Sequence, residues 1–306
     1  MHPSYLVRHL LLLTGLLLTM PLQAKPPSIL VTIKPVHSLV SGLSLGISKP
    51  SLLIEGTQSP HDYALKPSDR RLLSEADLII YTSPAIEGFM HTLENKLDKN
   101  KMIALSELPG IKTLPVRAQH VQGQNMDHDH HHHDSTIDGH IWLSIENAKI
   151  ISQQLYQRLI KIDTENRETY AANLQRQLDE LTSLQQQIKQ QLAEVKNKPF
   201  MIYHDAFQYF EQEFGLRQSF FVTPSPEQQP GIKQVLYLRS IIQQNHLKCI
   251  FYEPPYVPGI LKTITEDQQV KVLPLDPTGA QLTADDRLYF TLMHNIASQL
   301  KTCLSQ

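Results

Sequence analysis

Fifteen histidines in a chain of 306 residues set the first question. Imidazole is the commonest side-chain metal ligand and a base that titrates near neutral pH. Six of the histidines crowd one polar stretch, 118–136: His120, His128, His130, His131, His132 and His133, interleaved with Asp127, Asp129 and Asp134. Three others stand far apart, each at a boundary between a strand or loop and a helix start. They are His61 in Ser59-Pro60-His61-Asp62-Tyr63, His140 in Asp138-Gly139-His140-Ile141-Trp142, and His204 directly after Phe200-Met201-Ile202-Tyr203. Asp276, in Pro274-Leu275-Asp276-Pro277, occupies the same kind of place after the run Val270 to Leu273. In open α/β sheets, ligands bind beyond the carboxyl ends of the strands. Three imidazoles and one oxygen make a borderline-soft tetrahedral set suited to zinc, with Zn–N distances of about 2.0–2.1 Å, whereas manganese favours more carboxylate. No local motif of the His-Glu-x-x-His kind supports these residues, so on spacing alone each is as readily a loop or core histidine.

The elements that must position them follow from periodicity. Short β-branched and apolar runs predict strands at Ile29–Ile33, Leu52–Ile54, Leu78–Tyr81 and Met102–Leu105, with helical patterns between them at Ser68–Ala76 and Ile86–Leu97. Ser144 is placed to cap a helix through Lys161, and Asp163 to cap a second from Thr164 to about Lys196. About 30 helical residues span about 45 Å, longer than one small lobe, so this helix can run down both lobes as a stiff backbone. Alternation resumes with strands at Phe200–Tyr203, Ser219–Val222, Cys249–Tyr252 and Val270–Leu273. The intervening helices are Ala206–Phe214, Gly231–Asn245 and Pro258–Glu266, and the last runs from about Ala284 to Leu300. Asp205, with Gln208 three residues on, forms a capping-box pattern after His204. The expected fold is two α/β lobes, each with a mainly parallel sheet, bridged by one long helix. The boundaries are 25–162 for the first lobe, including the His-rich loop 118–136, 163–197 for the linking helix, and 198–306 for the second lobe. The His-rich stretch has no apolar periodicity and is expected as a loop, either holding the metal loosely or merely solvated.

Residues 1–24 have the pattern of an export leader. His2, Arg8 and His9 precede the apolar run Leu10 to Leu18, and Ala24 ends a cleavage-like segment after Pro21. The run is shorter than the roughly 20 residues that a membrane helix needs. The expected location is the periplasm. Cys249 and Cys303 form an exported pair and are expected as a disulfide, worth roughly 4 kcal/mol by loop entropy. The alternative is two thiols or metal ligands, with His246 three residues before Cys249. A formal net charge of -2 gives no electrostatic reason to expect nucleic acid as a partner.

Five segments together resemble the metal-specific substrate-binding proteins of ABC transporters. Pro60-His61-Asp62-Tyr63 with Pro67-Ser68-Asp69 is similar to the first family signature, and Asp138 to Leu143 to the second. His204-Asp205-Ala206-Phe207-Gln208-Tyr209-Phe210 with Phe214-Gly215-Leu216 resembles the third; Phe251-Tyr252-Glu253-Pro254 and Leu275-Asp276-Pro277 resemble the last two. They occur in family order across the mature chain. The His-rich insertion and the histidine at position 204, where manganese-specific relatives carry glutamate, favour the zinc branch. The resemblance implies a zinc ion in the interlobe cleft, held by His61, His140 and His204, and delivery to an inner-membrane ABC permease. It leaves the fourth position to Asp276 or water, because Pro60 stands where some zinc relatives carry a glutamate. Asp276 can instead accept a hydrogen bond from a ligating imidazole. His37 is expected at the cleft rim or in contact with a ligating residue, and a monomer is expected. The competing possibilities are a manganese or iron receptor on the same scaffold, a zinc hydrolase using Asp276 or Glu253 as base, and a metal-buffering chaperone.

Overall fold

The computed structural model of the protein describes residues 25–117 and 137–306. The expected leader 1–24 and the His-rich stretch with the auxiliary histidines His120 to His133 lie outside the described residues.

The first sheet is built from β1 (Ile29–Val31), β2 (Ser51–Leu52), β3 (Leu78–Tyr81) and β4 (Met102–Ala104), with α1 (Lys34–Leu43), α2 (Pro67–Glu75) and α3 (Met90–Leu93) between them. Its order is β2-β1-β3-β4 and all pairs are parallel, with Leu30 opposite Ser51 and Ile79, and Ile80 opposite Ile103. β1 and β3 are buried along their full length, as continuous apolar runs in a two-sided sheet require. The helical pattern over Ile86–Leu97 shrinks to the single turn of α3. The cause is Glu87, whose buried carboxylate accepts the backbone N–H groups of Thr82 and Ser83 and holds 82–87 as turns.

β5 (Leu114–Pro115) and β6 (Ile137–Asp138) form a small antiparallel ladder at the two ends of the His-rich stretch. α4 (Ile145–Ile162) starts at Ser144, whose hydroxyl accepts the Asn147 N–H, as its capping position predicts. α5 (Arg167–Leu192) starts three residues later than expected, because the Asp163 carboxylate turns to Asn166 and the Tyr170 hydroxyl instead of capping. Its 26 residues span about 39 Å.

The second sheet contains β7 (Met201–His204), β8 (Phe220–Thr223), β9 (Cys249–Tyr252) and β10 (Lys271–Pro274), in the order β10-β9-β7-β8, again all parallel. α6 (Gln208–Phe214) ends at Gly215, whose φ of 63° terminates the helix in the left-handed conformation. α7 (Ile232–Gln244) and α8 (Ile260–Thr265) cover one face through Val235, Leu238, Leu261 and Ile264. The other face joins a core shared by both lobes.

α9 (Leu288–Leu304) makes the second bridge. It packs against α1 of the first sheet, against α5 and against β10. Tyr289 anchors its start: its N–H donates to Ser38 Oγ and its hydroxyl to Trp142 O at 2.8 Å. Near its other end, Cys303 is disulfide-bonded to Cys249 of β9.

Candidate metal centre

All three separated histidines meet where the lobes face each other. His204 is the last residue of β7, His140 lies two residues past the end of β6, and His61 sits in the irregular segment between β2 and α2. Their ring centroids form a near-equilateral triangle: 5.3 Å for His61–His140, 5.0 Å for His61–His204 and 4.9 Å for His140–His204. One ring nitrogen from each lies within 4.8 Å of the others. A tetrahedral ion at ordinary Zn–N lengths needs neighbouring nitrogens about 3.3 Å apart, so a small inward shift completes the set.

Two carboxylates fix the rings. His140 Nδ1 is 2.7 Å from Asp138 Oδ1, which also accepts the His140 backbone N–H at 2.9 Å. His204 Nδ1 is 2.6 Å from Glu253 Oε1. An Nδ1–H donated to a carboxylate leaves Nε2 as the free lone pair and raises its basicity. Asp138 is held in turn from the other lobe: Gln208 Nε2 donates to its Oδ2 at 3.2 Å, and the Tyr209 hydroxyl to its carbonyl at 2.6 Å. Gln208 and Asp205 therefore do not make the expected capping box. Phe207 holds the N-cap position of α6 and offers no side-chain cap. Asp205 is instead paired with Arg117, which also donates to Glu211 at 2.8 Å.

The electrostatics follow from burial and these partners. Burial, reinforced by the other two imidazoles, holds His61 well below the ordinary histidine range. At His204 burial acts downward, but the Glu253 carboxylate outweighs it and the pKa is raised. At Asp138 burial acts upward, yet the His140 ring and N–H hold the carboxyl below its usual value. The rings are therefore tuned differently within one cluster.

Two cavities open onto the histidines. One, of about 230 Å³, is lined by Gln58, Ser59, Glu253, Tyr256 and Thr278. The other, of about 170 Å³, is lined by Ile86, Val116, Ile137, Asp205 and Ser225, beside the β5–β6 ladder.

Asp276 departs from the sequence expectation. It is not part of the histidine group. Its Oδ1 accepts the N–H groups of Thr278 and Gly279, and its Oδ2 that of Ala280, so both oxygens are committed to its own turn. The carboxylates that meet the His140 and His204 rings are those of Asp138 and Glu253. Asp138 was legible as an acid two residues before a histidine. Glu253 is 49 positions from its partner, and only the β7–β9 pairing brings them together. His37 also departs from expectation: it is buried in α1 with Nε2 3.0 Å from Pro50 O, and it lines neither cavity. Cys249 and Cys303, being bonded to each other, offer no thiolate.

Two parallel α/β lobes, joined by long helices and presenting imidazoles from both sides of their seam, define a metal-binding receptor of the two-lobed substrate-binding class. The sequence makes the membership specific. The family model described as zinc-uptake complex component A, periplasmic, matches residues 29–303, and the chain belongs to that family. The high-affinity zinc uptake system protein ZnuA of Brucella suis is 32% identical over 309 residues, covering 91% of this chain and 92% of that protein. Its namesake in Yersinia pestis is 29% identical over 316 residues, covering 99% of both. Among solved structures, a crystal structure of ZnuA superimposes with a TM-score of 0.76 at 23% identity, covering 91% of this chain and 99% of that one. The Streptococcus pneumoniae AdcAII protein gives 0.75 at 23% identity, covering 92% of this chain and 100% of that one. At such identities these two structures establish the shared fold. Among the described residues no helix is long and apolar enough to cross a membrane.

Proposed function

We propose that this protein captures zinc in the periplasm on His61, His140 and His204 and delivers it to the membrane permease of an ABC importer, as a monomer and without catalysing a reaction. Residues 1–24 serve as its export leader, and solvent supplies the fourth ligand from the 230 Å³ cavity side. What carries this function is the convergence of three imidazoles from the two lobes, with ligand atoms within 4.8 Å of one another and no carboxylate among them. The all-nitrogen donor set favours zinc over manganese. The zinc-uptake relatives supply the transport context. Of the two candidate bases for a hydrolytic site, Glu253 is engaged by His204 and Asp276 by the N–H groups of its own turn.

Calorimetry on the exported chain tests the assignment. Wild type is expected to bind one zinc tightly. Replacing His61, His140 and His204 with alanine in a variant lacking 118–136 is expected to abolish that site. Undiminished tight binding in that variant refutes the ligand set, and preference for manganese or iron over zinc in competition refutes the cargo.

A further inference from the structure

Asp276 stands just beyond the carboxyl end of β10, where a carboxylate can approach an ion held by strand-end ligands. Its oxygens nevertheless face its own turn. Oδ1 accepts from Thr278 N at 2.9 Å, Thr278 Oγ1 at 3.2 Å and Gly279 N at 2.8 Å, and Oδ2 from Ala280 N at 2.7 Å. The carbonyls of the same segment are gripped from the other lobe. The buried Lys34 of α1 donates from Nζ to Ala280 O at 2.6 Å and Leu282 O at 3.2 Å, with Gly279 O at 3.5 Å. An anion thus holds the amide side of 276–282 and a cation holds the carbonyl side. Trp142 adds a third tie, donating from Nε1 to Pro277 O at 2.8 Å. Gly279 has φ 71°, and a Cβ there would sit 3.2 Å from Leu288 and 3.3 Å from Leu282, so the turn is packed as well as bonded.

This gripped turn is a wall of the metal site. Pro277, Thr278 and Ala280 line the cavity that contains the three histidines. Asp276 lines a separate cavity of about 300 Å³ with Gln281 and Asn295. Asp276, the one anionic group in 276–282, does not line the histidine cavity.

We infer that Lys34 is a specificity-determining positioning residue: by clamping 276–282 it keeps the Asp276 carboxylate out of the ion's reach, so the protein's own ligands are nitrogen alone and the site discriminates against manganese and iron. Turning the Asp276 carboxylate into the histidine cavity breaks its bonds to three N–H groups and a hydroxyl, and takes the turn off Lys34. Manganese gains most from an added carboxylate, whereas zinc is already well served by imidazole. The inference rests on the zinc-receptor function proposed above.

The test is the ratio of manganese to zinc dissociation constants, measured by chelator competition on the full exported chain. Lys34→Gln is expected to narrow that ratio by about tenfold or more, mainly through tighter manganese binding. Thr278→Val, which removes one hydrogen bond to Asp276, is expected to narrow it less. Adding Asp276→Asn to Lys34→Gln is expected to restore the wild-type ratio. A merely destabilised fold weakens both metals together and leaves the ratio unchanged. An unchanged ratio in folded Lys34→Gln, or a narrowing that survives Asp276→Asn, overturns the inference. Should Lys34→Gln fail to fold, an unchanged ratio in Thr278→Val overturns it. Each of these outcomes in a protein that still binds zinc tightly counts against the clamp alone. Absence of tight zinc binding in wild type counts against the receptor function.

Discussion

Replacing Asp138 with asparagine isolates the contribution of one orienting carboxylate to metal affinity. Asp138 Oδ1 accepts two hydrogen bonds from His140, at 2.9 Å from the backbone N–H and 2.7 Å from Nδ1, with both side chains about 6% exposed. Oδ2 takes the Gln208 amide. Asparagine is nearly isosteric but carries no charge, and it places an NH2 group against either His140 or Gln208, both of which donate. The His140 ring then loses a charge-assisted bond, roughly twice as strong as a neutral one, and its Nε2 becomes a weaker donor to the ion. Loss of such a partner typically costs 10–100-fold in affinity, or about 1.4–2.7 kcal/mol. Chelator competition gives the constant. Trp142, the sole tryptophan, has its ring centroid 5.2 Å from that of His140, so its fluorescence reports occupancy directly. Asp62→Asn, at an exposed position beside His61, is the control and is expected to be silent. An Asp138→Asn protein that is folded and binds zinc within about twofold of wild type refutes the orienting role.

Zinc affinity is expected to fall on acidification in two stages, because only unprotonated imidazole ligates. His204, whose pKa Glu253 raises, takes up a competing proton above the ordinary histidine range, while His61 stays neutral to lower pH. Calorimetry across pH should show the first weakening move to lower pH in Glu253→Gln; an unmoved onset contradicts that coupling. Arg117→Met leaves Asp205 and Glu211 as buried, unpaired carboxylates and is expected to destabilise by about 3–5 kcal/mol in denaturant titration. Cys303→Ser opens a cross-link between residues 54 apart and is expected to cost up to about 4 kcal/mol, with added reductant bringing wild type to the same midpoint. Gly139→Ala would put a Cβ 2.5 Å from the Ile86 side chain, so it is expected to destabilise by about 1–3 kcal/mol and to weaken zinc through its neighbour His140.

Legibility in the sequence tracked how local each cause is. Leu78–Tyr81 and Cys249–Tyr252 are strands to the residue, because their apolar runs have no competing local structure. Ser144 caps as read, while Asp163 does not, since a tyrosine seven residues on and Asn166 draw its carboxylate away. β5 and β6 are two residues each, too short for a period to register. The three histidines were identified through their motifs together. Spacing alone could not find them, because their convergence depends on how the two sheets dock. Asp276 shows the limit of placing a residue at a strand end: the position was right, but a turn closing on the carboxylate and a lysine 242 residues earlier in the chain set its direction.

The return of α9 to α1 carries a consequence for biogenesis. A chain that emerges amino end first cannot finish its first lobe when that part of the polypeptide arrives, since Ser38 and Trp142 await Tyr289, and α1 awaits the helix that Tyr289 begins. The early half therefore stays incomplete until the last twenty or so residues follow, and oxidation of Cys303 onto Cys249 can lock only a finished molecule. A chain terminated after Asp286 is expected to remain protease-sensitive in the segment 29–117, whose helix α1 packs against α9 in the finished molecule.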